Sequence, residues 1–170
     1  MAQVSPCAPL RQCSALLLAA ALMAMGSAAR AQQAPQVRIR QLNDFVFNTL
    51  GAAPVDTSLA GNLCVYSTAT SGRYTITARG SGTNGAFTLA SGSNALPYEV
   101  QWGSAANLSS GSALSPNVAF ATTTTNQSNS NCNQPASLTA SLIVILRASA
   151  EQSVQAGSYS GTLTLLVAPN

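Results

Sequence analysis

Residues 156–170 read AGSYSGTLTLLVAPN. Tyr159, Gly161, Leu163, Leu165 and Val167 fall on one face of an extended chain, and Ser160, Thr162 and Thr164 on the other. A period of two is the signature of a half-buried β-strand. The same alternation recurs upstream. In GRYTITARG (72–80), Tyr74, Ile76 and Ala78 oppose Arg73, Thr75, Thr77 and Arg79. In LPYEVQW (96–102), Leu96, Tyr98, Val100 and Trp102 oppose Pro97, Glu99 and Gln101. SLTASLIVILRAS (137–149) is apolar on both faces, with Leu138, Ala140, Leu142, Val144 and Leu146 inward and Ile143 and Ile145 opposite. Shorter runs of the same type are QVRIRQL (36–42), DFVFNTL (44–50), NLCVYS (62–67), AFTLA (86–90) and VAFATTTT (118–125). Clusters of Gly, Ser and Asn separate them, and RASAEQSVQ (147–155) has room for one helical turn. Eight or nine short strands spaced by turn residues predict an all-β, immunoglobulin-like β-sandwich. Trp102 and Tyr159 are expected at or near its core.

The first residues read differently. MAQVSPCAPLRQC carries Arg11 and no acid, and an apolar run over 15–25 and then GSAARA follow. Small residues at Ala29 and Ala31 complete a secretory signal with cleavage expected after Ala31. The apolar run is too short to cross a bilayer, which takes about 20 residues. The expected organisation is a signal peptide over 1–31 and one β-sandwich domain over 32–170, with no membrane span in the mature chain. The whole chain carries seven arginines, four acids, no Lys and no His. Arg11 and Arg30 leave with the signal, so five scattered arginines face four acids, and no basic patch supports binding to nucleic acid. Cys64 and Cys132 remain. In an exported chain such a pair reads as a disulfide. The alternative, a metal site, lacks the histidines or further thiols of the usual four-ligand zinc set.

Chemistry-bearing motifs are few. GSGTNG (80–85) matches G-x-G-x-x-G, and Glu99 stands about twenty residues on, as in a dinucleotide site. That chemistry needs a helix to begin at the motif so that its N-terminus meets the pyrophosphate. AFTLASGSN follows instead, so a glycine-rich hairpin between two strands is expected. Without His or Lys there is no Ser–His–Asp triad, Ser–Lys pair or Schiff base. Asp44, Asp56, Glu99 and Glu151 read as separate solvated acids, with nothing in the sequence to bring two of them into one cleft. No enzyme activity and no cofactor are expected.

Three stretches in order, GNLCVYS (61–67), GRYTITARGSG with FTLASGSNALPYEVQWG (72–82 and 87–103), and AGSYSGTLTLLVAP (156–169), resemble exported pilin subunits of the archaic and alternate chaperone–usher systems. These are the spore coat protein U-like (Csu-type) family and, more distantly, CFA/I-type colonisation fimbriae. The resemblance spans roughly residues 37–170. It implies a sandwich lacking its final strand. A periplasmic chaperone lends a strand to the gap, and a neighbouring pilin subunit replaces it as the fibre passes an outer-membrane usher, in a role in adhesion or biofilm formation. The chain would pass through the periplasm to a cell-surface fimbria. Carried onto these residues, Leu163, Leu165 and Val167 would line the groove, and Val37 and Ile39 are the donor-strand candidates. QVRIRQL is shorter than family donor segments, so its other reading is the domain's own first strand. The alternative function is a self-contained secreted binding module, adhesin-like, using loops near 103–117 and 126–135.

Overall fold

A computed structural model describes residues 33–48, 54–69, 72–122, 130–133 and 138–170. The chain divides into the units Met1–Gln33 and Ala34–Asn170. The expected export signal, 1–31, lies outside the described residues, as does most of the expected loop at 126–135. No described helix is long and apolar enough to cross a membrane.

The described residues form ten strands, one α-helical turn and one 3₁₀ turn. They are β1 (Val37–Arg40), β2 (Thr57–Ser67), β3 (Tyr74–Arg79), β4 (Thr88–Ser91), β5 (Asn94–Pro97), β6 (Glu99–Gly103), β7 (Ser112–Ala113), β8 (Ala119–Thr122), β9 (Ala140–Leu146) and β10 (Thr164–Pro169), with α1 (Ala148–Glu151) after β9. One sheet has the order β1-β2-β9-β6-β7 and a second the order β10-β3-β8, while β4 and β5 form a hairpin of their own. All pairings are antiparallel. This is the all-β, immunoglobulin-like sandwich expected from the alternation.

The core lies where the two alternating faces meet. Leu63 and Val65 of β2, Val100 and Trp102 of β6, and Ala140, Leu142, Val144 and Leu146 of β9 come from the larger sheet. Tyr74, Ile76 and Ala78 of β3 come from the smaller one. The Tyr74 and Trp102 rings join the sheets edge to face, with centroids 6.2 Å apart at 77°. Phe87 stacks on Tyr98 at 5.7 Å. Ile143 and Ile145, on the outer face of β9, are buried as well. The two-sided apolar run at 142–146 therefore describes a central strand, flanked by β2 and β6 and covered on both faces.

Three expectations need correction. LPYEVQW is not one strand. It breaks at Tyr98, whose amide donates to Phe87 O, and the chain passes from the β4–β5 hairpin into the larger sheet. The glycine-rich stretch is not a hairpin either, because β3 and β4 belong to different sheets. It is a 3₁₀ turn, Thr83–Gly85, closed by Gly80 N–H to Gly85 O and Gly82 N–H to Ala86 O. A Cβ on Gly80 would strike the Ala86 carbonyl, so glycine is required by close backbone approach rather than by a phosphate. Finally, residues 44–48 of DFVFNTL join no strand, and 49–50 lie outside the described residues.

Cys64 and Cys132 form a disulfide with their Cα atoms 5.7 Å apart. It ties β2 to the described segment 130–133. The same segment accepts hydrogen bonds from Arg38 Nη1 to Ser130 O and from Gln41 Nε2 to Cys132 O, both 2.6 Å.

Candidate functional site: an open groove beside the last strand

In the immunoglobulin arrangement one sheet runs A-B-E-D and the other C-F-G. Here β1-β2-β9-β6 corresponds to A-B-E-D, and β3 and β10 to C and F. No described strand takes the G position beside β10, so β10 is a sheet edge. Its backbone pairs with β3 from Thr164↔Arg79 to Pro169↔Tyr74, and its other edge has no partner among the described residues. An unpaired edge of this kind is a template for another strand.

That edge borders a groove of about 880 Å³. One wall is 157–163 with Leu165, and the other is 42–48. Leu142, Val144 and Leu146 of β9, together with Leu89 and Tyr98, reach it from the core. The three β9 residues stand two apart, at roughly 7 Å spacing for an extended chain. That matches the spacing of alternate side chains on any strand laid above them.

Leu163, Leu165 and Val167 are half-buried, and Leu166 between them is 65% exposed. The alternation read from sequence is therefore present, but its inward face is less covered than that of β3, where Tyr74, Ile76 and Ala78 are all 0% exposed. Leu163 and Leu165 line the groove. Val167 sits beyond it, opposite Ile76. The regular strand is shorter than the alternation suggests. Before Thr164 the only ladder contact is the bridge Ala90↔Ser160, with Ala90 N–H to Ser160 O at 2.8 Å and the reciprocal bond at 3.1 Å. The end of the chain thus leans first on β4 and then on β3. Tyr159 is half-buried, and its hydroxyl donates to Gln155 O at 2.7 Å.

Val37 and Ile39 are placed in β1, where they pair with Ser67 and Val65 of β2 and pack against the core. In this chain they lie in the domain's own first strand.

The groove's other wall is the segment that sequence reading took for a strand. Phe45 and Phe47 point in and pack against the core, while Val46 between them is 64% exposed. The residues alternate as a strand does, yet no backbone hydrogen bond joins 42–48 to the other described residues. Among the described residues, unpaired backbone thus flanks the groove along 42–48 and along the outer edge of β10.

A second cluster was missed altogether. Arg147 makes a two-pronged contact with Glu99, Nε to Oε1 at 2.9 Å and Nη2 to Oε2 at 2.7 Å, and a third contact through Nη1 to Asp56 Oδ2 at 2.7 Å. Asp56 Oδ1 also accepts the amide of Ala148 at 2.9 Å. Asp56 and Glu99, expected to stand apart, thus meet on one guanidinium. Sequence carries no signal for a contact across 91 positions beyond the polar-face placement of Glu99. The Ala148 amide and then Arg147 hold the Asp56 carboxyl below its ordinary 3.8. Arg147 likewise holds Glu99 below 4.5. A general acid near neutral pH would need the opposite shift.

The shifts give the cluster a pH signature. Groups that titrate lower in the folded chain stabilise it fully above their unfolded values and lose that contribution as pH falls below them. Stability is therefore expected to decline through the acid range beneath about pH 4.5. Arg147→Met should flatten this limb in urea titrations between pH 2.5 and 6. All three groups are largely exposed, so the effect should be small and shrink with added salt.

No family model matches the chain, and no curated protein does. Among solved structures, it shares its fold with a chain of a chaperone–tip adhesin complex of CFA/I fimbriae biogenesis. Identity is 16% and the TM-score 0.52, over 79% of this chain and 41% of that one. A chain of the chaperone–tip adhesion subunit pre-assembly complex from the archaic chaperone-usher Csu pili of Acinetobacter baumannii matches at 21% identity. The TM-score there is 0.41, over 78% of this chain and 39% of that one. The chain thus spans about two fifths of the length of these solved chains.

Proposed function

We propose that this chain is an exported structural subunit of a surface fibre, assembled by strand addition. A strand from a second chain enters the groove beside β10, first from a periplasmic chaperone and then from a neighbouring pilin subunit at an outer-membrane usher. The observation that carries this reading is the open G position. Among the described residues β10 is an unpaired edge, and beside it a groove reaches the core side chains Leu142, Val144 and Leu146. Strand addition draws affinity from main-chain hydrogen bonds and register from alternate side-chain pockets, and the groove offers both. The pilin-like resemblance of the sequence and the fold shared with a chain of a fimbrial chaperone–adhesin complex support the same reading. Export follows the signal read over 1–31, and adhesion or biofilm formation would follow from a place in such a fibre.

The test is a strand supplied in trans. The chain is refolded alone and with a synthetic decapeptide alternating valine and threonine, with lysines at its ends for solubility. A ligand that binds only the folded chain raises stability with its concentration, by about 2.7 kcal/mol at a hundredfold excess over Kd. The unfolding midpoint should therefore climb as peptide is added, while a scrambled peptide leaves it unchanged. A lone chain that unfolds cooperatively at a midpoint no strand peptide moves would make it a self-contained binding module instead.

A further inference from the structure

The groove's two walls are held by different means. β10 is fixed by a six-pair ladder to β3. The 42–48 wall has no ladder, and its position rests on side chains. Gln41 ties its beginning to Cys132 O, and Phe45 and Phe47 reach the core. Phe45 lies directly over Gly61 of β2, where a Cβ on Gly61 would come within 3.1 Å of the ring. Gly61 in turn pairs with Leu142, which reaches the groove from the core. The missing side chain at 61 thus makes the seat for a ring that anchors one wall above the other sheet's inner face.

We infer that Phe45, seated on Gly61, is the positioning residue of the strand-acceptor groove: it sets the place of the 42–48 wall and so the width into which a strand fits. The inference rests on the strand-acceptor reading above. Loop walls without hydrogen-bonded backbone are held only as well as their side-chain anchors allow, and a loose wall must be ordered at binding at a cost in affinity. Phe47 packs on the same wall. Phe45 is the anchor with a matched partner.

The experiment uses the refolded chain and the valine–threonine decapeptide carrying a fluorophore, with Kd read by anisotropy. Phe45→Ala is expected to weaken binding about tenfold or more, beyond any loss of folded fraction measured by circular dichroism in the same sample. Phe45→Leu, which still fills the seat, should stay within about threefold of wild type. Gly61→Ala, which keeps Phe45 but lifts its ring, should also weaken binding. The double variant Gly61→Ala with Phe45→Leu should recover most of that loss, because the shorter side chain makes room for the added methyl. Amide exchange over 42–48 should speed up in Phe45→Ala while β3 stays protected.

If wild type binds the peptide and Phe45→Ala binds within twofold of it, the anchor role is wrong and the strand-acceptor reading stands. If Gly61→Ala binds like wild type, the seat is wrong. A wild-type chain that binds no strand peptide removes both the acceptor reading and this inference.

Discussion

Leu165→Asp is expected to abolish strand acceptance while leaving the free chain folded. Leu165 of β10 pairs with Ala78 of β3 and faces the groove, half-buried. In the free chain an aspartate there keeps contact with water, and only the partial packing of Leu165 against the core is lost. Once a strand covers the groove, the same carboxylate is shut in with Leu163, Leu142 and Val144, and no Arg or Lys lines the groove among the described residues. Burying an unpaired charge costs several kcal/mol, so binding of the valine–threonine peptide should weaken by about a hundredfold or more. Leu166→Asp is the matched control. Leu166 is the neighbour on the opposite, exposed face, and its substitution should leave the affinity within about twofold. Equal losses at 165 and 166 would mean that the peptide does not lie along the inward face of β10.

Replacing both Cys64 and Cys132 by serine should be the most damaging change to stability. The bond closes a loop of 68 residues. Chain entropy assigns such a closure about 4 kcal/mol, a figure that depends on the polymer model. Both cysteines are essentially inaccessible, at 0% and 1% exposure, so the hydroxyls that replace them also lose solvent. Urea titrations of the double variant against the oxidised parent measure the loss. The consequences reach the groove. Segment 130–133 accepts hydrogen bonds from Arg38 in β1 and from Gln41 at the start of the 42–48 wall. Untethering it should raise amide exchange over 36–48 before the rest of the larger sheet responds. A double variant within about 1 kcal/mol of the parent would show that the remaining contacts hold 130–133 unaided.

The sandwich was legible because its faces are cleanly coded. Tyr74, Ile76 and Ala78 are all buried, as their alternation required, and Trp102 meets Tyr74 across the sheets. The apolar residues on both faces of β9 match its burial on both faces. Long-range partnerships were not legible. Period two says that a residue points inward but not which strand lies beside it. The break at Tyr98 therefore looked like continuous alternation, and the Gly80–Gly85 corner between two sheets looked like a hairpin. DFVFN shows the same limit from the other side. Its residues alternate inward and outward as a strand's do, but a strand also needs a neighbour with free backbone groups, and the described residues give it none. At the groove, the alternation of the terminal strand marks Leu163 and Leu165 as inward, and only the resemblance to pilin subunits implied a groove beside them. Phe45 on Gly61 could not, since the signal is an absent side chain sixteen residues from the ring it admits. The ion cluster on Arg147 was invisible for a like reason. Asp56, Glu99 and Arg147 each look solvent-bound in one dimension, and only the pairing of β9 with both β2 and β6 brings them together.

The central claim is that the edge of β10 and the 42–48 wall together accept a strand. Residue-resolved amide hydrogen exchange of the refolded chain, with and without the valine–threonine peptide, tests it most directly. New protection is expected on both sides of the groove, at 42–48 and at 157–167, in a ladder-like alternation along β10, with β3 unchanged. Protection confined to other edges, or none at either wall under saturating peptide, would contradict it.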